Sequence, residues 1–279
     1  MRWADLDMLG HVNNVTYVDY LQEARVDMLR THGSRPRGDA GDLAEGVVVV
    51  RHEVTYLRPL MFTFEPVQIE CWVTEIRPAT FTMAYEVFHD DGDEGRVVYL
   101  RAKTVLSPYV FRGEHPRRLT EDEKVALADF LEPEARPRPD RFTVVREESG
   151  HYPVHVRFSD VDVYGHVNNV KYFEYLQEAR IAMLSELVPV RRFSVVVAQT
   201  DVDYLQPLLF RAEPYDCRST ITRVGTRSMT VESELRDAST HRVLARARVV
   251  VVFFDLATNR SAEPDPELRE ALLARAVTA

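Results

Sequence analysis

The sequence predicts an α+β protein built from two tandem copies of one domain, each an antiparallel sheet wrapped around a single long central helix. Three observations carry this reading. A 28-residue segment occurs twice with 18 identities. Each copy places apolar residues at helical spacing, and each then changes to a period of two for most of its remaining length.

The repeat sets the frame. Residues 2–29 read RWADLDMLGHVNNVTYVDYLQEARVDML and residues 157–184 read RFSDVDVYGHVNNVKYFEYLQEARIAML, an offset of 155. Farther on, Glu53-Val54-Thr55-Tyr56-Leu57-Arg58-Pro59-Leu60 matches Asp201-Val202-Asp203-Tyr204-Leu205-Gln206-Pro207-Leu208 at an offset of 148. The seven-residue difference is an insertion in the first copy around Gly33–Gly46, where Gly, Pro and charges mark an exposed loop. Arg101-Ala102-Lys103 matches Arg246-Ala247-Arg248.

Each element follows in order. Over residues 14–30, Tyr17, Leu21, Ala24 and Met28 share one helical face, with Asn13 or Asn14 as a natural N-cap. Val67, Ile69, Cys71 and Val73 then alternate with polar residues, as do Phe81, Met83, Tyr85 and Val87. Asp90-Asp91-Gly92 supplies a turn before a strand near Val97–Leu106. Each copy ends in a short helix, the first opening on Thr120 with Glu123 as a capping box, the second following Pro264 and Pro266. His151 to Val156 read as an opening strand for the second copy, whereas the first motif begins directly at the start of the chain. The expected domains are 1–131 and 149–279, joined by a proline-bearing linker over 132–148.

Composition narrows the function. The chain has 279 residues, enough for two domains, with 45% hydrophobic and 28% charged residues, an ordinary globular balance. A net charge of −9 argues against a general nucleic-acid partner, whose affinity would come from neutralising phosphates. Cys71 and Cys217 fall out of register between the copies, so they read as buried strand residues rather than as paired nucleophiles or metal ligands. Arg2 and Asp5 interrupt any signal peptide, and the Val249–Phe254 run is too short for a bilayer, so the expected location is cytoplasmic, with no membrane partner.

The chemistry-bearing segment is Asp-x-Asp-x-x-Gly-His-Val-Asn-Asn, at Asp5–Asn14 and Asp160–Asn169. It delivers acids, a glycine and a histidine to the amino end of a helix, where unpaired N–H groups and a partial positive charge can meet a developing oxyanion. A carboxylate there can act as base toward water or attack a carbonyl. Gly10 and Gly165 would admit that carbonyl close to the backbone. Structural readings stand beside these. Asp5 and Asp160 read first as helix-capping groups, and Asp7 and Asp162 as either catalytic or capping. His11 and His166 read first as structural histidines, Asn13 and Asn168 as N-caps rather than catalysts, and Glu53 and Asp201 as strand surface charges. The Gln22-Glu23-Ala24-Arg25 run and its copy at 177–180 read as a solvated or ion-paired helix face.

The motif resembles the signature of the hotdog acyl thioesterases, including the 4-hydroxybenzoyl-CoA thioesterase-like and plant-type acyl-ACP branches, and the likeness runs through both copies. The resemblance implies hydrolysis of an acyl-CoA or acyl carrier protein thioester, with no metal and no cofactor. It implies catalytic roles for Asp7 and Asp162, for His11 and His166, and for the strand carboxylates Glu53 and Asp201. Oxyanion or substrate contacts would come from Gly10, Gly165, Asn13 and Asn168, and the acyl chain would run along Tyr17, Leu21, Tyr172 and Leu176. It also implies an intramolecular pseudo-dimer, with room for a further homo-oligomer. The sequence departs from the plant-type pattern. Leu9 and Tyr164 stand where an Asn precedes the histidine, and Val54 and Val202 stand where a Cys follows the strand carboxylate. A carboxylate-plus-water or acyl-anhydride route is therefore expected over a cysteine-centred one. Two alternatives remain: a non-catalytic module that binds acyl thioesters, and a hotdog dehydratase, whose Gly-Asp-x-Asn-Pro motif is missing here.

Overall fold

The computed structural model describes residues 1–32, 45–90, 95, 96–134, 142, 145, 150–186, 195–255, 258 and 260–277. The Gly33–Gly46 insertion lies almost wholly outside the described residues, as do Asp91 and Gly92 of the expected turn. The chain divides into two compact units, Met1–Arg138 and Pro139–Ala279.

In the first unit a helix, α1 (Asn14–His32), is followed by strands β1 (Glu45–Tyr56), β2 (Gln68–Ile76), β3 (Phe81–Asp90) and β4 (Arg96–Val110), the short β5 (His115–Pro116) and helix α2 (Glu121–Ala128). The long strands lie in the order β2-β3-β4-β1, with antiparallel neighbours. Helix α1 begins where expected because the Asn13 side chain accepts the Val15 N–H at 2.9 Å. Its buried residues, Val15, Tyr17, Val18, Leu21, Arg25 and Met28, trace one face. On the sheet, Val54, Met83, Tyr85, Val87 and Leu100 are likewise buried. Full burial of a side chain such as Leu21 contributes roughly 2 kcal/mol, so the apolar stripe and not helix propensity fixes α1. The outer edge of β2 is partly covered by the chain after α2. Val73 donates its N–H to Phe130 and accepts from the Glu132 N–H, at 2.9 and 2.8 Å.

The second unit repeats the plan with β6 (Gly150–Val154), α3 (Asn169–Ser185), β7 (Val195–Tyr204), β8 (Tyr215–Val224), β9 (Ser228–Arg236), β10 (Val243–Asp255), the short β11 (Arg260–Ser261) and α4 (Pro266–Arg275). Its sheet order is β7-β10-β9-β8-β6, so the expected opening strand is present and pairs with β8. Asn168 caps α3 through the Val170 N–H. Both terminal helices start on side-chain caps, Thr120 for α2 and Asp265 for α4.

Two features depart from simple alternation. Arg25 and Arg180, from the run read as a solvated helix face, are buried, while Glu23 and Glu178 of the same run stay exposed. On β9, Glu232, Glu234 and Arg236 are buried as well as their apolar neighbours. Glu232 pairs with Arg248 at 2.8 Å and Glu234 with Arg236 at 2.6 Å. Val145 accepts a hydrogen bond from the Arg236 guanidinium at 2.9 Å, and the Phe142 ring lies 5.2 Å from the Arg248 guanidinium. Residues expected in the linker therefore cover the polar face of the second sheet, whose charges are matched against one another. Among the described residues no helix is long and apolar enough to cross a membrane.

Candidate active site

The two motif loops fold alike. Each begins with a one-turn 3₁₀ helix, Trp3–Asp5 and Phe158–Asp160. In the first copy, the Asp7 N–H donates to the His11 carbonyl at 2.8 Å and the Gly10 N–H to the Asp7 carbonyl at 3.0 Å. In the second, Asp162 and Gly165 repeat these bonds with His166 and Asp162 at 2.8 and 3.1 Å. The chain can close this tight turn because Gly10 and Gly165 take φ of +79° and +82°, in the left-handed region that side chains resist. A Cβ at either position would meet nothing within 4 Å, so the demand is on the backbone alone. We expect Gly165→Ala to cost about 1 kcal/mol, with Gly165→Asn milder; urea denaturation of the two variants checks this.

The loop is then pinned. The Val12 N–H donates to the Leu60 carbonyl and the Val167 N–H to Leu208, each at 2.9 Å. The hydroxyls of Tyr17 and Tyr172 accept the N–H groups of Leu60 and Leu208 at 3.1 and 2.9 Å. The Tyr56 and Tyr204 hydroxyls donate to the carbonyls of Asn14 and Asn169, at 2.8 and 2.9 Å. Sequence reasoning passed over Tyr56 and Tyr204, although both stand in the matched blocks around Leu57 and Leu205. Tyr17, Leu21, Tyr172 and Leu176 are buried in the cores.

The first acid of each motif is structural in its bonding. Asp5 and Asp160 are 3% and 1% exposed. Asp160 accepts the Tyr175 hydroxyl at 2.6 Å and the Arg157 N–H at 2.9 Å, and its Oδ1 lies 3.1 Å from the Arg157 guanidinium. Asp5 has the same partners in Tyr20 and Arg2. Burial pushes these carboxyls up, but the tyrosine, backbone and arginine donors more than offset it and hold both below the usual carboxylate range.

The second acid is placed differently. Asp7 and Asp162 are half-buried at the turn. Asp7 Oδ1 accepts the Leu9 N–H at 2.8 Å; Asp162 Oδ1 accepts those of Tyr164 and His166 at 2.9 and 3.3 Å. Burial raises the Asp162 carboxyl above its ordinary value, with those N–H groups and His166 acting the other way. His11 and His166 sit on the same turns, bridged by backbone to Met61 and Leu209. Asn13 and Asn168 serve as N-caps.

The structure thus brings Asp7, Gly10, His11 and Asn13 together, and likewise Asp162, Gly165, His166 and Asn168. The strand carboxylates lie on other elements with partners of their own. Glu53, on β1, pairs with Arg51 at 2.7 Å. Asp201, on β7, accepts from the Gln199 amide at 3.1 and 3.0 Å. Burial raises both cysteine thiols, Cys217 to about 12, which leaves neither poised as a thiolate. Among the described residues no three His, Cys, Asp or Glu side chains gather as metal ligands.

The family described as the thioesterase-like superfamily matches residues 1–125 and again 156–272, both copies of the motif included. The chain belongs to the thioesterase-like superfamily. As a thioesterase-like protein it has relatives of known name. Long-chain acyl-CoA thioesterase FadM of Escherichia coli is 27% identical over 124 residues, 43% of this chain and 93% of FadM. Among solved structures, the 12:0-ACP thioesterase of Umbellularia californica superposes with a TM-score of 0.72 at 16% identity, covering 90% of this chain and 91% of that one. An acyl-ACP thioesterase of Bacteroides thetaiotaomicron gives 0.66 at 17%, covering 90% and 94%. These likenesses establish the fold: two tandem hotdog domains. At family level the thioesterase-like assignment supports hydrolysis of acyl thioesters.

Proposed function

We propose that this chain hydrolyses acyl thioesters to free acid and thiol, with Asp7 and Asp162 as the working carboxylates. The supporting observation is the doubled turn, in which an acid is followed by a positive-φ glycine and then by a capped helix start, in a chain of the thioesterase-like superfamily. The carboxylate takes a proton from water as the oxygen adds to the carbonyl carbon, and collapse of the tetrahedral adduct expels the thiolate, which is then protonated. In the other route the same carboxylate adds to the carbonyl itself, expelling the thiolate to leave an acyl anhydride that water cleaves. The amino ends of α1 and α3 favour the negative charge that builds on oxygen. His11 and His166, on the same turns, are assigned to orient water or the thioester. Glu53 and Asp201, held on their strands by Arg51 and Gln199, are given no step in this reading. The likeness to FadM favours an acyl-CoA over an acyl carrier protein thioester as the substrate.

The test is thiol release by the purified chain from palmitoyl-CoA, short-chain acyl-CoA thioesters and acyl carrier protein thioesters. Turnover of an acyl-CoA is expected. Binding without thiol release would make the chain a non-catalytic module, and enoyl absorbance from hydroxyacyl-CoA would make it a dehydratase.

The acid side of the pH profile carries a second expectation. A base must be ionised to act, so the rate contributed by Asp162 is lost as pH falls through its raised folded-state value. In an Asp7→Asn variant, which isolates the second copy, the acid limb of kcat/KM should lie above the ordinary aspartate value of about 3.9. A limb at or below that value would contradict the assignment.

A further inference from the structure

Both motif turns are pinned from Leu60 and Leu208, but among the described residues the second has a further side-chain clamp. Tyr215, 4% exposed at the start of β8, closes on a single residue. Its hydroxyl accepts the Leu209 N–H at 2.9 Å and donates to the Leu209 carbonyl at 3.1 Å. Leu209 is also the residue bridged by backbone to His166, whose N–H reaches Asp162 Oδ1 at 3.3 Å.

The clamp is itself locked. The Arg211 guanidinium lies 3.7 Å from the centre of the Tyr215 ring and pairs with Asp237, just after β9. Arg211 also donates to the carbonyls of Glu213 and Pro214 at 3.0 and 3.2 Å. Asp237 accepts the N–H groups of Ser239 and Thr240 at 3.0 and 2.9 Å. Charge-assisted bonds on both sides leave the ring little freedom.

The first copy has none of these three residues. The offset of 148 that relates Glu53–Leu60 to Asp201–Leu208 continues unbroken through Glu65-Pro66 and Glu213-Pro214. Strand register preserves it, since Ile69 lies opposite Val87 as Cys217 lies opposite Leu235. Val67 therefore stands for Tyr215, Thr63 for Arg211 and His89 for Asp237. The Val67 side chain has no polar atom with which to hold Met61, the residue bridged to His11. Thr63 accepts the Glu65 N–H at 3.2 Å instead, and His89 turns to the Tyr99 hydroxyl at 3.1 Å.

We infer that Tyr215 is a positioning residue: locked by Arg211 and Asp237, it makes the second motif turn the more rigid of the two and its site the faster. The hydroxyl is spent on Leu209, so Tyr215 acts through Leu209 and His166 on the carboxylate of Asp162. A misplacement of about 1 Å can cost about 10²-fold in rate, which is why the better-held turn works faster. The rigidity rests on geometry alone; the difference in rate rests on the function proposed above.

The test uses Tyr215→Phe, which keeps the ring under Arg211 and removes only the hydroxyl, with thermal denaturation to confirm folding. Arg211→Gln unlocks the ring from outside; it should shift every readout the same way by less, and it carries the comparison if Tyr215→Phe does not fold. Amide hydrogen exchange of the full chain is read by mass spectrometry on peptides covering residues 5–14 and 160–169. Exchange should be about tenfold slower in the second turn, and Tyr215→Phe should bring it to the rate of the first. Turns that exchange alike in the wild type, or a second turn unmoved by either folded variant, would overturn the inference. Thiol release from palmitoyl-CoA then reads the rate. Asp162→Asn should remove more turnover than Asp7→Asn, and within Asp7→Asn the Tyr215→Phe change should lower kcat about tenfold while KM moves less than about twofold. A larger loss from Asp7→Asn, or a change in KM alone, would refute the positioning role. Absence of any thioester cleavage sinks the proposed function, while the exchange comparison still decides whether Tyr215 holds the turn.

Discussion

Asp160→Ala should lower the stability of the protein by about 2–4 kcal/mol, and Asp5→Ala by a similar amount. Each carboxylate is buried and accepts a tyrosine hydroxyl, a backbone N–H and an arginine. Removing it strands the Tyr175 or Tyr20 hydroxyl and frees the 3₁₀ turn that leads into the motif. Arg157 and Arg2 are largely exposed, so their share of the ion pair is screened and the estimate stays below that of a fully buried pair. Tyr175→Phe removes only the donor and should cost about 1 kcal/mol. Because both acids are held below the usual range, their contribution is in place above about pH 3.9 and lost as the pH falls through the lowered folded-state value. Urea denaturation at pH 7 and at pH 3 measures both effects; a stability unchanged by Asp160→Ala would remove the structural role.

The other large effect belongs to catalysis. In the second copy, Asp162→Asn should slow the turnover contributed by that site about 10²- to 10⁴-fold. The amide oxygen can still accept the Tyr164 and His166 N–H groups, so the turn keeps its shape and the lost property is basicity or nucleophilicity. Asp7→Asn preserves the Leu9 contact in the same way. Neither single variant should change the denaturation midpoint by more than a small fraction of the Asp160→Ala effect. Comparing thiol release by the two single variants measures how the turnover divides between the copies.

Much of this was legible in the sequence because the repeat supplies an internal register. Helix starts at Asn14 and Asn169 follow from a side-chain cap followed by an apolar face, both local signals. The separation of Asp5 from Asp7 was partly legible: an acid placed before a helix is readily read as a cap, and the structure binds Asp5 and Asp160 into buried networks. What the sequence concealed was distant covering. Arg25 and Arg180 lie on an otherwise charged stretch, and nothing local says that the helix turns them inward. Glu232 and Glu234 look like solvent-facing members of an alternating strand, yet the segment carrying Phe142 and Val145 lies far upstream in the chain.

The most direct measurement is thiol release by the double variant Asp7→Asn/Asp162→Asn, with acyl-CoA binding followed by calorimetry on the same sample. A folded protein that still binds the thioester but no longer cleaves it is the expected result. Cleavage at the wild-type rate would show that hydrolysis is carried by other groups and that the two aspartates serve only to shape their turns.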